Sequence, residues 1–230
     1  MALYTMGDLH LSFSTEKPMT VFEGWENYTE RISANWNRIV QEEDTVILPG
    51  DFSWAMTLEE TYNDFAFLES LNGKKILLKG NHDYWWTTMK RITAFLDANG
   101  FSARTSLLLN NSAVVEGKAI VGTRGWFQEG GDEHGKKIIA RECLRLGLSR
   151  DSVPADFDGE IITFLHYPPI YSNYRIDEML WAVKKTGCRR CFYGHVHGKS
   201  IPFAFNGEED GITYRLVSAD ALGFTPYRIV

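Results

Sequence analysis

Two aspartates, an asparagine and four histidines fall into five short clusters along this chain: Asp8-Leu9-His10, Gly50-Asp51, Gly80-Asn81, His166 and Gly194-His195-Val196-His197. Imidazole and carboxylate donors without cysteine suit borderline divalent ions, Mn foremost, with Fe, Zn, Ni and Co as alternatives. In an extended chain, residues two apart face one side, so Asp8 with His10, and His195 with His197, are each expected to share a pocket. Gly50, Gly80 and Gly194 allow the backbone to turn where a donor is delivered. If Asp51 bridges, seven side chains serve two ions. Two dications, two carboxylates and a hydroxide then leave a local charge of about +1, a pocket for phosphate. His82 and Asp83, which follow Asn81 directly, add a group that can move a proton beside a carboxylate that can charge it. Taken alone, the same four residues also read as a strand-to-helix turn in which Asp83 caps the next helix.

The elements that must position these clusters are legible as apolar runs that end at them. Such runs span residues 2–6, 45–48, 75–78, 161–165 and 191–193, and strands are the natural reading. Helical patterns cover residues 25–42, 58–71 and 85–98, the last stopping at Asn99-Gly100. Strand-helix alternation implies parallel strands with crossovers, and ligands of such sheets gather beyond the C-terminal strand ends. "SAVVEGKAIVGTRGW" reads as a hairpin around Glu116-Gly117. Further helices are expected near residues 136–146 and 176–185, and a strand in "GITYRLVSA". One domain over residues 1–230, with two sheet layers and helices outside, is the expected organisation.

Composition bounds the function classes. Hydrophobic residues make up 44% of 230 and no run approaches a membrane span. The N-terminal "MALYTMGDLH" lacks a charged region followed by an apolar one, and three cysteines are an odd number, so a cytoplasmic location without a disulfide framework is expected. A net charge of −6 argues against broad electrostatic binding to nucleic acid, and a local site neutralised by bound cations is compatible with it.

In their order and spread over nearly the whole chain, the clusters resemble the calcineurin-like metallophosphoesterase superfamily, in particular its small bacterial-type phosphohydrolases. The resemblance implies an α/β fold, a four-layer α/β/β/α sandwich of two mixed sheets flanked by helices, with a binuclear metal centre. It assigns Asp8, His10, Asp51 and His197 to a first ion and Asp51, Asn81, His166 and His195 to a second. It makes His82 catalytic, protonating the leaving alkoxide or binding a phosphate oxygen, with Asp83 orienting and charging it. A hydroxide bridging the ions would attack phosphorus in a small phosphomonoester or phosphodiester. Two departures separate the chain from the protein serine/threonine phosphatase branch: "FSWAM" after Asp51 lacks that branch's further aspartate and arginine, and Asp83 replaces its glutamate. The alternatives are a noncatalytic protein-binding scaffold on this fold, whose members typically lose ligands, and a nuclease, whose added capping domain is missing here.

Other signals read more plainly. "HYPP" at residues 166–169 stiffens the exit from His166. Arg124 is either a phosphate clamp or an ordinary surface arginine. Most of Tyr84, Trp85, Trp86, Trp126, Phe127 and Tyr167 belong to core packing. "EGGDEHGKK" is expected to be a loop near the site mouth that includes His134, and Cys188-Arg189-Arg190-Cys191 a turn and strand start. Residues 11–24, 52–57 and 124–137 are the segments expected to shape specificity.

Overall fold

In a computed structural model the chain is described over residues 1–127, 133–172 and 174–230. Residues 128–132, which hold all of "EGGD", lie outside the described residues, as does Asn173.

The early strands are largely buried on both faces, as strands of a sheet covered on both sides must be. Strands β1 (Leu3–Thr5), β2 (Thr45–Pro49), β3 (Lys74–Leu78) and β4 (Thr105–Leu108) run parallel in that order. In the second sheet, β5 (Ala113–Val115) and β6 (Lys118–Thr123) pair antiparallel, with Glu116 and Gly117 both at positive φ in the turn between them, as the hairpin reading requires. Next to β6 lies parallel β7 (Glu160–Leu165), and a small hairpin of β8 (Ile170–Tyr171) and β9 (Tyr174–Arg175) follows it. Parallel β10 (Arg190–Tyr193) and β12 (Ile212–Leu216) complete the second sheet, with β11 (Gly207–Glu209) antiparallel at its edge. Finally β13 (Tyr227–Arg228) returns antiparallel beside β1. Both sheets are therefore mixed.

Helices α1 (Tyr28–Ile39), α2 (Tyr62–Ser70) and α3 (Met89–Ala98) cover the first sheet, and α4 (Glu133–Asp151) and α5 (Asp177–Lys185) the second. Three apolar layers result. Ile32, Trp36, Phe65 and Leu96 meet Val46, Leu48 and Leu77 under the first helices. Ile47, Ile76 and Leu78 meet Ile120, Ile162 and Phe164 between the sheets, and Val121, Leu165 and Tyr193 meet Ile139, Leu146 and Val183 under α4 and α5. Neighbouring residues of β2 thus enter different layers, which is why its run is apolar without alternation. The expected four-layer sandwich is the observed one.

Two expectations about boundaries shift. The third helix begins at Met89, capped by Thr88 Oγ1, which accepts from Arg91 N at 3.4 Å, so the indoles of Trp85 and Trp86 precede it and fill the core instead. The fourth helix begins at Glu133, so His134, expected in a loop, lies in its first turn.

Candidate metal centre

Parallel strands deliver their C-terminal ends to one edge, and there the five clusters meet. From β1 come Asp8 and His10, from β2 Asp51, from β3 Asn81, from β7 His166 and from β10 His195 and His197. Gly7 ties the two sheets together at this edge, its N–H donating to Val217 O at 2.8 Å and its carbonyl accepting from Ala219 N at 3.0 Å.

Close approach, more than turning, is what the glycines provide. A Cβ on Gly80 would lie 2.1 Å from Asp51 Oδ1, and one on Gly194 2.2 Å from Asp8 Oδ2. One on Gly50 would meet His166 Nδ1 at 2.6 Å. Each glycine therefore lets a donor from another strand, of its own sheet or of the other, enter a space that any side chain would occupy.

The donors themselves leave extended geometry. Asp8, His10, Asp51 and His195 have φ of 61°, 47°, 50° and 72°, in the left-handed region that non-glycine residues seldom adopt. Strand alternation is therefore not what pairs Asp8 with His10, and it does not pair His195 with His197 at all. His197 falls with Asp8 and His10, whereas His195 falls with Asp51 and His166, the donor atoms of each group lying within 4.8 Å of one another. Such strain concentrates where surrounding structure holds it for a purpose.

Asp51 Oδ2 links the groups, 3.8 Å from His10 Nε2 and 3.4 Å from His166 Nε2. Asn81 Oδ1 lies 2.6 Å from His166 Nε2 and 2.8 Å from His195 Nδ1. The donor set fits cations, as the facing lone pairs indicate. His166 Nδ1 is spoken for by Pro49 O at 3.1 Å, so its Nε2 presents a lone pair toward the oxygens of Asn81 and Asp51. His197 Nδ1 is 2.9 Å from Asp220 Oδ1, which turns its Nε2 toward Asp8 Oδ1 at 3.2 Å and His10 Nε2 at 3.3 Å. Asp8 Oδ2 is buried without a hydrogen-bond partner. Acceptors that converge in this way call for positive charge between them.

Electrostatics express the same demand. Burial keeps His166 and His195 neutral, pushing both down to about 3, and holds His10 well below its ordinary range. Their lone pairs stay available for a metal. His197 goes the other way, to about 10: burial opposes its charge, but Asp8 and Asp220 outweigh it. Protonated on both nitrogens, His197 supplies the cation that the carboxylates need, and an ion that takes Nε2 displaces that proton.

Asp220 is the residue that sequence reasoning missed. It also accepts from Gly198 N at 2.8 Å and so locks both the tautomer and the turn of His197. A signal existed, since Asp220 stands just beyond an apolar strand as the other donors do.

His82 enters the site, but Asp83 does not serve it. Asp83 accepts from the backbone N–H groups of Asp51, Phe52, Ser53 and Gly80 at 3.0, 2.9, 3.2 and 2.7 Å, and from Trp85 Nε1 at 3.0 Å. Its carboxylate is a clip between the turns after β2 and β3, and it neither orients His82 nor caps α3. His82 is held by rings instead: Trp54 lies 4.2 Å away, His10 5.7 Å and Tyr84 6.0 Å. Tyr167 packs in the same manner on His195 at 4.2 Å. Arg124 turns its side chain toward Glu142 at 4.0 Å and stacks over Trp126, while its carbonyl accepts from the N–H groups of His166 and Tyr167 at 3.1 and 2.9 Å. All three cysteines are free, and Cys191 lies within β10 as expected. No helix among the described residues is long and apolar enough to cross a membrane.

The profile of the calcineurin-like phosphoesterase family matches residues 1–199. None of the curated proteins matches the sequence. Among solved structures, a protein of unknown function from Aquifex aeolicus is similar at TM-score 0.52 and 16% identity, over 99% of this chain and 95% of that one. A phosphopantetheinyl hydrolase from Mycobacterium tuberculosis is similar at TM-score 0.55 and 14% identity, over 94% and 88%. A purple acid phosphatase from yellow lupin is similar at TM-score 0.50 and 14% identity, over 99% of this chain but 44% of that one. At these identities the likeness is one of fold.

Proposed function

Because this chain belongs to the calcineurin-like phosphoesterase family, and is on that ground a metal-dependent phosphoesterase, we propose that it is a two-metal phosphohydrolase of small phosphomonoesters or phosphodiesters, carried by one domain over residues 1–230. The observation that supports two ions is the position of Asp51 Oδ2 within 3.8 Å of one imidazole group and 3.4 Å of the other. Asp8, His10, Asp51 and His197 would hold the first ion, and Asp51, Asn81, His166 and His195 the second. When bound, the ions supply Lewis acidity toward a water and offset the charge of the phosphoryl oxygens, with Mn the first candidate.

The chain's own residues supply the rest. Asp220 keeps the proton of His197 on Nδ1 and so leaves Nε2 free to ligate, while the Pro49 carbonyl does the same for His166. His82, an imidazole that belongs to neither donor group and lies 5.7 Å from the His10 ring, would give a proton to the departing ester oxygen. Trp54 and Tyr84 flank its ring, and its backbone N–H donates to Asp51 Oδ1 at 2.7 Å.

The test is hydrolysis of p-nitrophenyl phosphate and bis(p-nitrophenyl) phosphate by protein stripped of metal and reloaded with Mn, Fe, Ni, Co or Zn. His82→Ala is expected to lower turnover about 100-fold or more while two ions remain bound by mass spectrometry. Unchanged turnover would remove His82 from the reaction. Folded protein that takes up no metal would indicate a scaffold, and cleavage of single-stranded DNA a nuclease.

A further inference from the structure

Two clefts flank the donor groups. On one side Phe127, Pro168 and Tyr171 border His195 and His197 around a cavity of about 340 Å³. On the other, a larger cavity of about 740 Å³ opens against His10, His82 and His197, and its remaining lining is Met19, Phe22, Trp25, Trp54 and Gly198 with the exposed Glu23 and Lys199. Its aromatic and thioether wall is unusual for a site expected to handle polar phosphates. Phe22 is 54% exposed and Val21 beside it 73%, so apolar groups stand in solvent at the rim instead of in the core.

The character of the wall narrows what fits. A sugar or peptide would lose hydrogen bonds to water against Met19, Phe22, Trp25 and Trp54, because the polar side chains of the lining are the site's own imidazoles, His10, His82 and His197, and the exposed Glu23 and Lys199. A nucleobase stacks best on a free indole face, and neither indole of the wall offers one, which leaves the ring of Phe22 at the rim. Trp54 is already covered, stacked on His10 at 5.0 Å and 26° with Lys17 Nζ 4.8 Å over its ring. Trp25 is held edge to face by Tyr28, Phe224 and His197 at 5.3, 5.1 and 5.9 Å. What such ring edges and a flexible Met19 accept is an aliphatic chain, which adapts its rotamers to an irregular apolar wall.

We propose that this cleft is the subsite for an aliphatic group on the ester oxygen, so that the substrates are phosphoesters of apolar, chain-bearing alcohols. The inference rests on the phosphohydrolase reading. It places the chain on the leaving side, because His82 forms part of the same wall. In the reaction the bond from phosphorus to the alkyl oxygen breaks, water's oxygen takes its place on phosphorus, and the His82 proton passes to the alkoxide to give the alcohol. The proton released by water restores the balance.

The experiment compares methyl, butyl and octyl phosphate as substrates for the metal-loaded protein, and methyl, butyl and octyl phosphonate as calorimetric ligands. Specificity (kcat/KM) is expected to rise about tenfold or more from methyl to octyl, and phosphonate affinity to rise in parallel with an increasingly negative heat-capacity change. Phe22→Ser, at an exposed position, is expected to flatten both trends. Equal affinity and equal kcat/KM across the series would overturn the proposal while leaving the phosphohydrolase standing. Octyl phosphonate binding that Phe22→Ser leaves untouched would overturn it too, as adhesion elsewhere. No hydrolysis of any ester, with chain-length-dependent binding lost in Phe22→Ser, would uphold the subsite and sink the phosphohydrolase instead.

Discussion

Asp83 shows how a single side chain can look catalytic in sequence and be architectural in space. Five N–H donors converge on its two oxygens, four from the backbone of the turns after β2 and β3 and one from an indole. Burial pushes its carboxyl up and those donors pull it back. Asparagine has nearly the same shape but offers an NH2 where an acceptor is needed, so one oxygen's donors would face another donor. Asp83→Asn is expected to cost about 2–4 kcal/mol in thermal or denaturant unfolding. A loss under about 0.5 kcal/mol would show that the clip contributes little.

At the level of elements, the site depends on backbones that approach where no Cβ fits. Gly80→Ala puts its methyl 2.1 Å from Asp51 Oδ1 and 2.2 Å from Asp51 N, so the turn after β3 must withdraw and carry Asn81 with it. The expected result is loss of at least one bound ion per chain by mass spectrometry, even where the fold survives. Gly147→Ala is the opposite case, since Gly147 lies in α4 with nothing within 4 Å of the added methyl. That change is expected to stabilise the protein by about 0.5–1 kcal/mol and to leave the metal count intact. Equal metal content in both variants would refute the close-approach account.

For the whole molecule, the candidate centre joins the exits of both sheets, with Asp8, Asp51 and Asn81 from one and His166, His195 and His197 from the other. An ion held by residues of both sheets binds the native state far better than the unfolded chain, where these donors are scattered over nearly the whole sequence. Removing metal with a chelator should lower the melting temperature on the order of 10 °C, and readdition of Mn should restore it. A melting temperature indifferent to metal would mean that the two sheets do not share an ion.

By itself the sequence determined the donor types, their order, the strands that end at them and the hairpin at Glu116-Gly117, because short-range physics acts there: apolar runs, turn residues and hard or borderline ligands are local properties. It also marked segments 11–24 and 52–57, from which Met19, Phe22 and Trp54 reach the apolar cleft. Tertiary structure alone decided how the donors divide. His195 and His197 are two residues apart yet belong to different groups, because left-handed backbone at His195 breaks the alternation that their spacing implies. It likewise decided that Asp83 serves N–H groups 30–32 residues away and that Asp220 holds His197 across 23 residues. Hydrogen bonds of that kind are set by which strand ends the sheets bring together, and no local pattern of residues encodes that meeting.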